Sequence, residues 1–543
     1  MRKIICALLP GATAVLFLAA ADGPAPPTVA LWGITNLASR MPPQLTGGRV
    51  ARGSLVRITG WRLGPPGTAA ASKKLALRSL AGSSVEIRQG AHAFAAWPVM
   101  VSQEEIHAVI PPDAPLGNCD LVIIHDGQES RPSPLRIVES EFGAFSENGH
   151  GWGPGAIRNR DGLQNTLSHP AHPGETVRLL GTGLGTGAAS LEVFAGGKPG
   201  AVLAFRPLAA NPGTDEIEFE LPEDVPEGCY VPVQVRTGGG ISNSVTLSVS
   251  RQGEPCSNSS PAAAHENLPG RSANISLIHL ELRILLGDRS KADFHTDLGY
   301  ADFHARAPEN DPNPIYLFPP PGSCTTYTGV IRTNDLFRPL ETFRAGRSLD
   351  AGDIIQVAGP KGERKITRKN RATPLYTAVL GGTTPLPMRE TLPLFLQPGE
   401  YRIHVPGSAG LAPFDAAMSV ERALRWKNRN RLSTVDRAGG TAIEWKAAHS
   451  DDLIVITAMN AAGPGDAMAV CFCAVSAAAE RFTIPPYALA NIPPTEPGQN
   501  NLPLNLLFVS EIHNTPTAKP APGNLDALTL SSLSAVGRTV TYR

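Results

Sequence analysis

Gly53-Ser-Leu-Val-Arg-Ile-Thr-Gly60-Trp-Arg-Leu-Gly64 and Gly174-Glu-Thr-Val-Arg-Leu-Leu-Gly181-Thr-Gly-Leu-Gly185 are one pattern written twice, 121 residues apart. Each opens on a glycine and runs into alternation, with Val56 and Ile58 set against Leu55, Arg57 and Thr59. A period of two turns one face to a core and the other to water, which is how a half-buried strand reads. Gly60 and Gly64 bracket a sharp turn where a side chain would clash or need a positive φ. A second landmark recurs in the same order. Pro115-Leu-Gly-Asn-Cys119 is echoed by Pro226-Glu-Gly-Cys229, and the last strands are Ser133-Pro-Leu-Arg-Ile137 and Ser242-Asn-Ser-Val-Thr-Leu247. Two landmarks in one order imply a duplicated domain.

The rest of the chain has the same texture. With 54 glycines and 51 prolines in 543 residues, about 19% of the chain breaks helices and makes turns, so it is not mostly helical. Hydrophobic residues make up 42%, too many for disorder. The expected fold class is all-β: tandem immunoglobulin-like sandwiches followed by one or two further β-sandwich domains. The length suits three or four domains. We expect a first Ig-like domain over 28–138, a Gly-rich linker over 139–168, and a second Ig-like domain over 169–250. A polar linker over 251–272 follows, then sandwiches over 273–415 and 416–543, with one short helix over 485–492. In the third region Leu280, Leu282, Ile284 and Leu286 share a face, and Asp353 to Gly359 runs into the turn Pro360-Lys361-Gly362.

Arg2 and Lys3 precede an apolar stretch, Ile4 to Leu18, and Ala19-Ala20-Ala21 supplies small residues before Asp22. This is the form of a secretory signal peptide over 1–21. The stretch is too short, and too broken by Pro10 and Gly11, for a membrane anchor. No later window reaches the length of a span, so the expected location is secreted, cell surface or periplasm. Removing Cys6 with the signal leaves six cysteines: Cys119, Cys229, Cys256, Cys324, Cys471 and Cys473. In an exported chain these imply disulfides. Cys229 and Cys256 are placed to close a hairpin end. Cys471 and Cys473, two apart on a strand, face the same way, and one of them is expected to bridge to Cys324.

The two repeats resemble IPT/TIG domains, the Ig-like modules of cell-surface receptors and bacterial surface proteins. The resemblance lies in the Pro/Gly entry, the strand ends Ile-Thr-Gly60 and Leu-Leu-Gly181, and the late strand with Val231 and Val233. Upstream, Gly33-Ile-Thr-Asn36-Leu-Ala38-Ser39 followed by Ala51-Arg-Gly53-Ser-Leu-Val resembles the start of a domain of secreted acidobacterial proteins of the Solibacter type. That family usually writes Asn-Ala-Ala-Ser, and Leu37 departs from it. The carboxyl region resembles a further module of that repertoire through Pro321-Gly-Ser-Cys324, Leu349-Asp-Ala-Gly352, Leu424-Arg-Trp426-Lys-Asn428, Arg437, Ile443-Glu-Trp445, Cys473 and Phe482-Thr-Ile-Pro485 with Leu489 and Pro493. Together these cover about nine tenths of the mature chain. The resemblance implies fold and location and carries no catalytic residues; it also implies that Cys324 pairs with Cys473 rather than Cys471.

Signals for chemistry are sparse. His295-Thr-Asp297 and Asp302-Phe-His304 put His295, Asp297 and His304 forward as metal ligands on strands, with ordinary surface residues as the competing reading. The spacing is not that of a zincin, and no Gly-x-Ser-x-Gly elbow marks a hydrolase nucleophile. Lysine plus arginine equals aspartate plus glutamate at 48 each, so no net field recruits a nucleic acid. The basic run Lys361, Arg364, Lys365, Arg368, Lys369 and Arg371 reads as a solvated hairpin loop. Trp426 and Trp445 are candidates for stacking on a saccharide or for filling a core. No cofactor is expected. The reading is an exported non-catalytic multidomain β protein for adhesion, scaffolding or binding of extracellular polysaccharide or a surface protein. The alternative is a secreted carbohydrate-active or metal-dependent hydrolase.

Overall fold

The computed structural model describes residues 25–71, 77–185, 191–238, 240–256, 270–285, 291–307, 318–330, 346–368, 375–383, 392–462, 467–496, 504–515 and 521–543. Residues 1–21, expected as a signal peptide, lie outside them. The chain is all-β, with two Ig-like sandwiches followed by a larger β-sandwich region.

The first domain carries β1 (Thr28–Asn36), β2 (Leu55–Trp61), β3 (Ser83–Gln89), β4 (His92–Val101), β5 (Glu105–Val109), β6 (Gly117–His125) and β7 (Ser133–Val138). The second carries β8 (Gly143–Ala144), β9 (Thr176–Thr182), β10 (Glu192–Ala195), β11 (Lys198–Pro207), β12 (Asp215–Glu220), β13 (Gly228–Thr237) and β14 (Val245–Val249). Hydrogen-bonded neighbours run β1-β2-β5-β4-β3-β6-β7 in one and β8-β9-β12-β11-β10-β13-β14 in the other. Each of these seven strands has its counterpart seven places on, so the duplication extends to the topology of the main strands. Val56 and Ile58 are fully buried while Arg57 and Thr59 are half-exposed, as the alternation requires. Gly60 and Gly181 serve a common purpose. A Cβ on Gly60 would stand 2.1 Å from the Thr28 carbonyl oxygen, and one on Gly181 would stand 2.1 Å from the Phe142 ring. Each lets the preceding strand cross closely.

Residues 139–168 are not a free linker. Gly143–Ala144 and Ile157–Arg158 pair with β9, and Phe142, Trp152 and Ile157 are buried. The glycines here serve contact instead of slack: a Cβ on Gly151 would meet the Ser39 carbonyl oxygen at 2.3 Å. The domains are joined through buried polar groups. Asn36 accepts from Ala38 N (2.9 Å) and Ser39 N (3.1 Å), and its amide donates to the Thr182 carbonyl (3.2 Å). Thr182 Oγ1 in turn accepts from Leu55 N at 2.8 Å. Such pairing removes the cost of burying these groups.

The third region carries β15 (Gly270–Leu285), β16 (Lys291–Arg306), β17 (Ser323–Val330), β18 (Ile354–Gly359), β19 (Gly362–Arg368), β20 (Tyr376–Gly382), β21 (Gly399–Val405), β22 (Phe414–Val420), β23 (Leu453–Ala462) and β24 (Ala467–Ser476). After a short helix, α1 (Pro486–Leu489), come β25 (Leu506–Thr515) and β26 (Ala527–Thr539). They form one sheet in the order β17-β24-β23-β25-β26-β15-β16-β20-β19-β18-β21-β22. The expected division at 415 therefore separates no two sheets. β15 pairs in parallel with β26 over twelve registered positions, from Ser272 opposite Ala527 to Arg283 opposite Arg538. Long-range pairing of this kind leaves no trace in local composition. Two cores lie along the sheet, one around Phe303, Tyr376 and Tyr401, the other around Trp445, Ile456 and Tyr542. The polar segment expected as a linker over 251–272 lies outside the described residues from 257 to 269, and its last three residues begin β15. The second domain docks on this region: Phe194 stacks on Tyr487 at 5.1 Å and Asn491 donates to the Ser242 carbonyl at 3.1 Å.

Candidate functional site

Cys324 and Cys473 stand directly opposite on β17 and β24 and are disulfide-bonded, as are Cys229 and Cys256. Cys471 is a buried free thiol, pushed up to about 12 by its burial. Burial disfavours the thiolate form there.

Trp426 and Trp445 present no ring face to solvent. Both are buried, and their indole N–H groups donate to Asn428 Oδ1 (2.8 Å) and the Ala477 carbonyl (3.1 Å). This corrects their reading as ligand-stacking residues: they pair across strands in the core, where large amphipathic rings gain most. The basic run lies on the hairpin of β18 and β19, where Lys361 and Lys365 are exposed and three of its members have partners within the chain. Lys361 donates to the Leu394 carbonyl, Arg364 lies over Phe395 at 5.1 Å, and Arg368 pairs with Asp350. Lys369 and Arg371 lie outside the described residues.

His295, Asp297 and His304 do not converge. All three lie on β16, and nine residues of strand between His295 and His304 span about 30 Å. His304 pairs instead with Asp302 at 3.1 Å. Asp297 is fully buried; Oδ1 faces His279 Nδ1 at 2.7 Å, and Oδ2 accepts from Phe395 N (2.6 Å) and Leu396 N (2.7 Å). The Asp297 carboxylate on Nδ1, with Glu281 nearby, raises the His279 imidazole to about 9 in the metal-free chain, a proton that a cation bound at Nε2 would displace.

A groove of about 700 Å³ on the first domain gathers residues that sequence reading missed. Its floor is the outer face of β3, β6 and β7, where Arg88 stands opposite Asp120 and Asn118 opposite Arg136. One wall is the segment 43–50, with Gln44 and Arg49; Trp32 stands at the edge. Trp32 is placed by an irregularity in β1, where four residues, 30 to 33, lie opposite Thr59 alone. Its φ of 60° is left-handed, an unfavourable state for a bulky residue, and it is 36% exposed. Arg49 is held by Glu141 at 2.5 Å, and Arg88 by Glu86 (2.7 Å) and Glu129 (2.9 Å). Burial nonetheless pushes the Glu141 carboxyl up to about 7. Asp120 and Arg136 are exposed and make no ion pair among the described residues. Both amide atoms of Gln44 are buried and have no hydrogen-bond partner among the described residues. No motif announces these residues; the clue in sequence is an aromatic, Trp32, followed at once by glycine inside an apolar strand.

A smaller cavity of about 100 Å³ is lined by Glu421, Glu511 and His513 beside β25. His513 pairs with Asp452 (2.8 Å), His449 with Glu421 (3.1 Å), and the two rings lie 5.1 Å apart. Burial, with Asp452 adjacent, pushes the Glu511 carboxyl upward, while Ala448 N donates to Oε1 at 2.6 Å. A raised carboxyl binds its proton more tightly in the folded state. Its stabilisation is complete below the unfolded value of about 4.5 and is lost as pH rises through the folded value. Glu511→Gln keeps a neutral donor beside Asp452. It should stabilise the chain at pH 8 by about 1–2 kcal/mol and change little at pH 4.5, checked by denaturant midpoints at both values.

No protein-family model matches the chain, and no curated protein matches it. Among solved structures, it is similar to the full extracellular region of plexin A4 (TM-score 0.15, 13% identity, covering 43% of this chain and 19% of that one). It is also similar to SGBP-B of the mixed-linkage glucan utilization locus of Bacteroides ovatus (TM-score 0.13, 9% identity, 81% of this chain and 94% of that one). A third is SGBP-B from a xyloglucan utilization locus in Bacteroides uniformis (TM-score 0.17, 11% identity, 83% and 99%). The chain thus spans about a fifth of the plexin region it matches.

Proposed function

We propose that this chain is an exported, non-catalytic binding protein whose first Ig-like domain takes a saccharide in the groove edged by Trp32. The observation that carries this reading is the bulge in β1, which holds a bulky indole in a left-handed conformation at the mouth of a polar groove. A strained, exposed aromatic costs stability and persists where it serves contact. An indole face offers apolar area to the C–H surface of a sugar ring. Asn118, Asp120 and Arg136, all exposed, offer donors and acceptors around it. Polyhydroxyl ligands need that combination of one flat apolar contact and several polar ones. The two disulfides fit an oxidising exterior compartment. The finer assignment of the repeats as IPT/TIG modules belongs to this proposal as well and rests on the residues quoted for it.

A glycan array on the full chain, followed by calorimetry with the best ligand, tests this. Trp32→Ala should weaken binding by at least tenfold, about 1.4 kcal/mol, with an unchanged melting curve. Equal binding by the variant, or no saccharide bound at all, would overturn the assignment. Release of shortened saccharide would replace it by the hydrolase reading.

A further inference from the structure

We propose that His279, Glu281 and His295 form a binding site for a divalent transition-metal ion, with Zn²⁺ the best fit, on one face of the large sheet. The placement follows from register. Glu281 on β15 lies directly opposite His295 on β16, and His279 lies directly opposite Asp297. Two residues apart on each strand, all four side chains leave the sheet on one side. One ligand atom from each of His279, Glu281 and His295 lies within 4.8 Å of the others, and His279 Nε2 is 3.9 Å from Glu281 Oε1. In a tetrahedral zinc site neighbouring ligand atoms are about 3.4 Å apart, so small side-chain rotations close the set.

Asp297 supplies the second argument. It faces Nδ1 of His279 at 2.7 Å and is itself fixed by two backbone N–H groups. A buried carboxylate on one ring nitrogen, with the other nitrogen turned to further ligands, is how proteins orient metal-binding histidines. His295 is exposed, and its ring makes no hydrogen bond or ion pair among the described residues. Arg429 Nη1 lies 3.2 Å from Glu281 Oε2, which leaves Oε1 for the metal and moderates the affinity. Two imidazoles and one carboxylate suit zinc better than calcium or magnesium, which prefer oxygen alone. With three protein ligands, the fourth position is left to solvent.

The test is a titration of the full, chelator-treated chain with Zn²⁺ alone, without reductant so that Cys324–Cys473 stays closed. One equivalent should bind, and His295→Ala and Glu281→Gln should each weaken binding at least tenfold while His449→Ala does not. Co²⁺ should give visible ligand-field bands that His295→Ala abolishes. His295 is exposed and Glu281 partly so, and melting curves of the metal-free variants check the fold. Absence of Zn²⁺ binding, binding unchanged in both variants, or loss of binding in His449→Ala instead would overturn the proposal.

Discussion

Trp445→Ala should destabilise the carboxyl-terminal region by about 3–5 kcal/mol and leave the saccharide binding proposed for the Trp32 groove intact wherever the chain remains folded. Trp445 is fully buried, shares its core with Leu432, Val435 and Ile484, and donates to the Ala477 carbonyl. Removing the indole opens a large cavity and takes from that carbonyl one of its two donors, the other being the Glu480 backbone N–H. Both losses fall on a core that the first domain's groove does not touch. Denaturant unfolding followed by tryptophan fluorescence, with calorimetry on the folded variant, separates the two effects. A stable variant with lost saccharide binding would return Trp445 to the role of a ligand-stacking residue.

Opening the Cys324–Cys473 bridge should cost about 2–5 kcal/mol, the second large effect. It links residues 149 apart in sequence, and chain-entropy arguments give more stabilisation for longer closed loops. The Cys229–Cys256 bridge spans only 27 residues and should contribute less. The comparison is between the double variants Cys324→Ala/Cys473→Ala and Cys229→Ala/Cys256→Ala, measured by thermal unfolding. A larger loss in the second pair would show that loop length does not govern their contributions. Cys471, buried beside the first bridge, should stay unmodified by alkylating reagents until the region unfolds, because burial keeps it a thiol.

Much of the architecture was legible because it is local. Alternation in Leu55–Trp61 and Thr176–Thr182 marked strands, and the spacing of glycines and cysteines marked the repeat. Glycine density misled at 139–168, since glycine permits both a flexible chain and a close backbone approach, and composition does not distinguish them. The tryptophans left two readings open for a related reason. An indole fills a core or binds a ring with the same atoms, and burial decides which.

The candidate sites were less legible. His295 and Asp297 stood out in the chain, yet the residues opposite them, Glu281 and His279, come from the preceding strand and join only through antiparallel register. Trp32 needed the count of residues on its partner strand before its bulge was visible. The chain's own order of residues determined that it forms strands and carries a repeated pattern, and it left the partner of Cys324 open between Cys471 and Cys473. Only the tertiary structure decided that β15 meets β26 across about 250 residues, that 139–168 packs instead of linking, and which polar groups share a face. The reason is physical: strand formation depends on neighbours in sequence, whereas pairing between distant strands depends on which surfaces bury one another best.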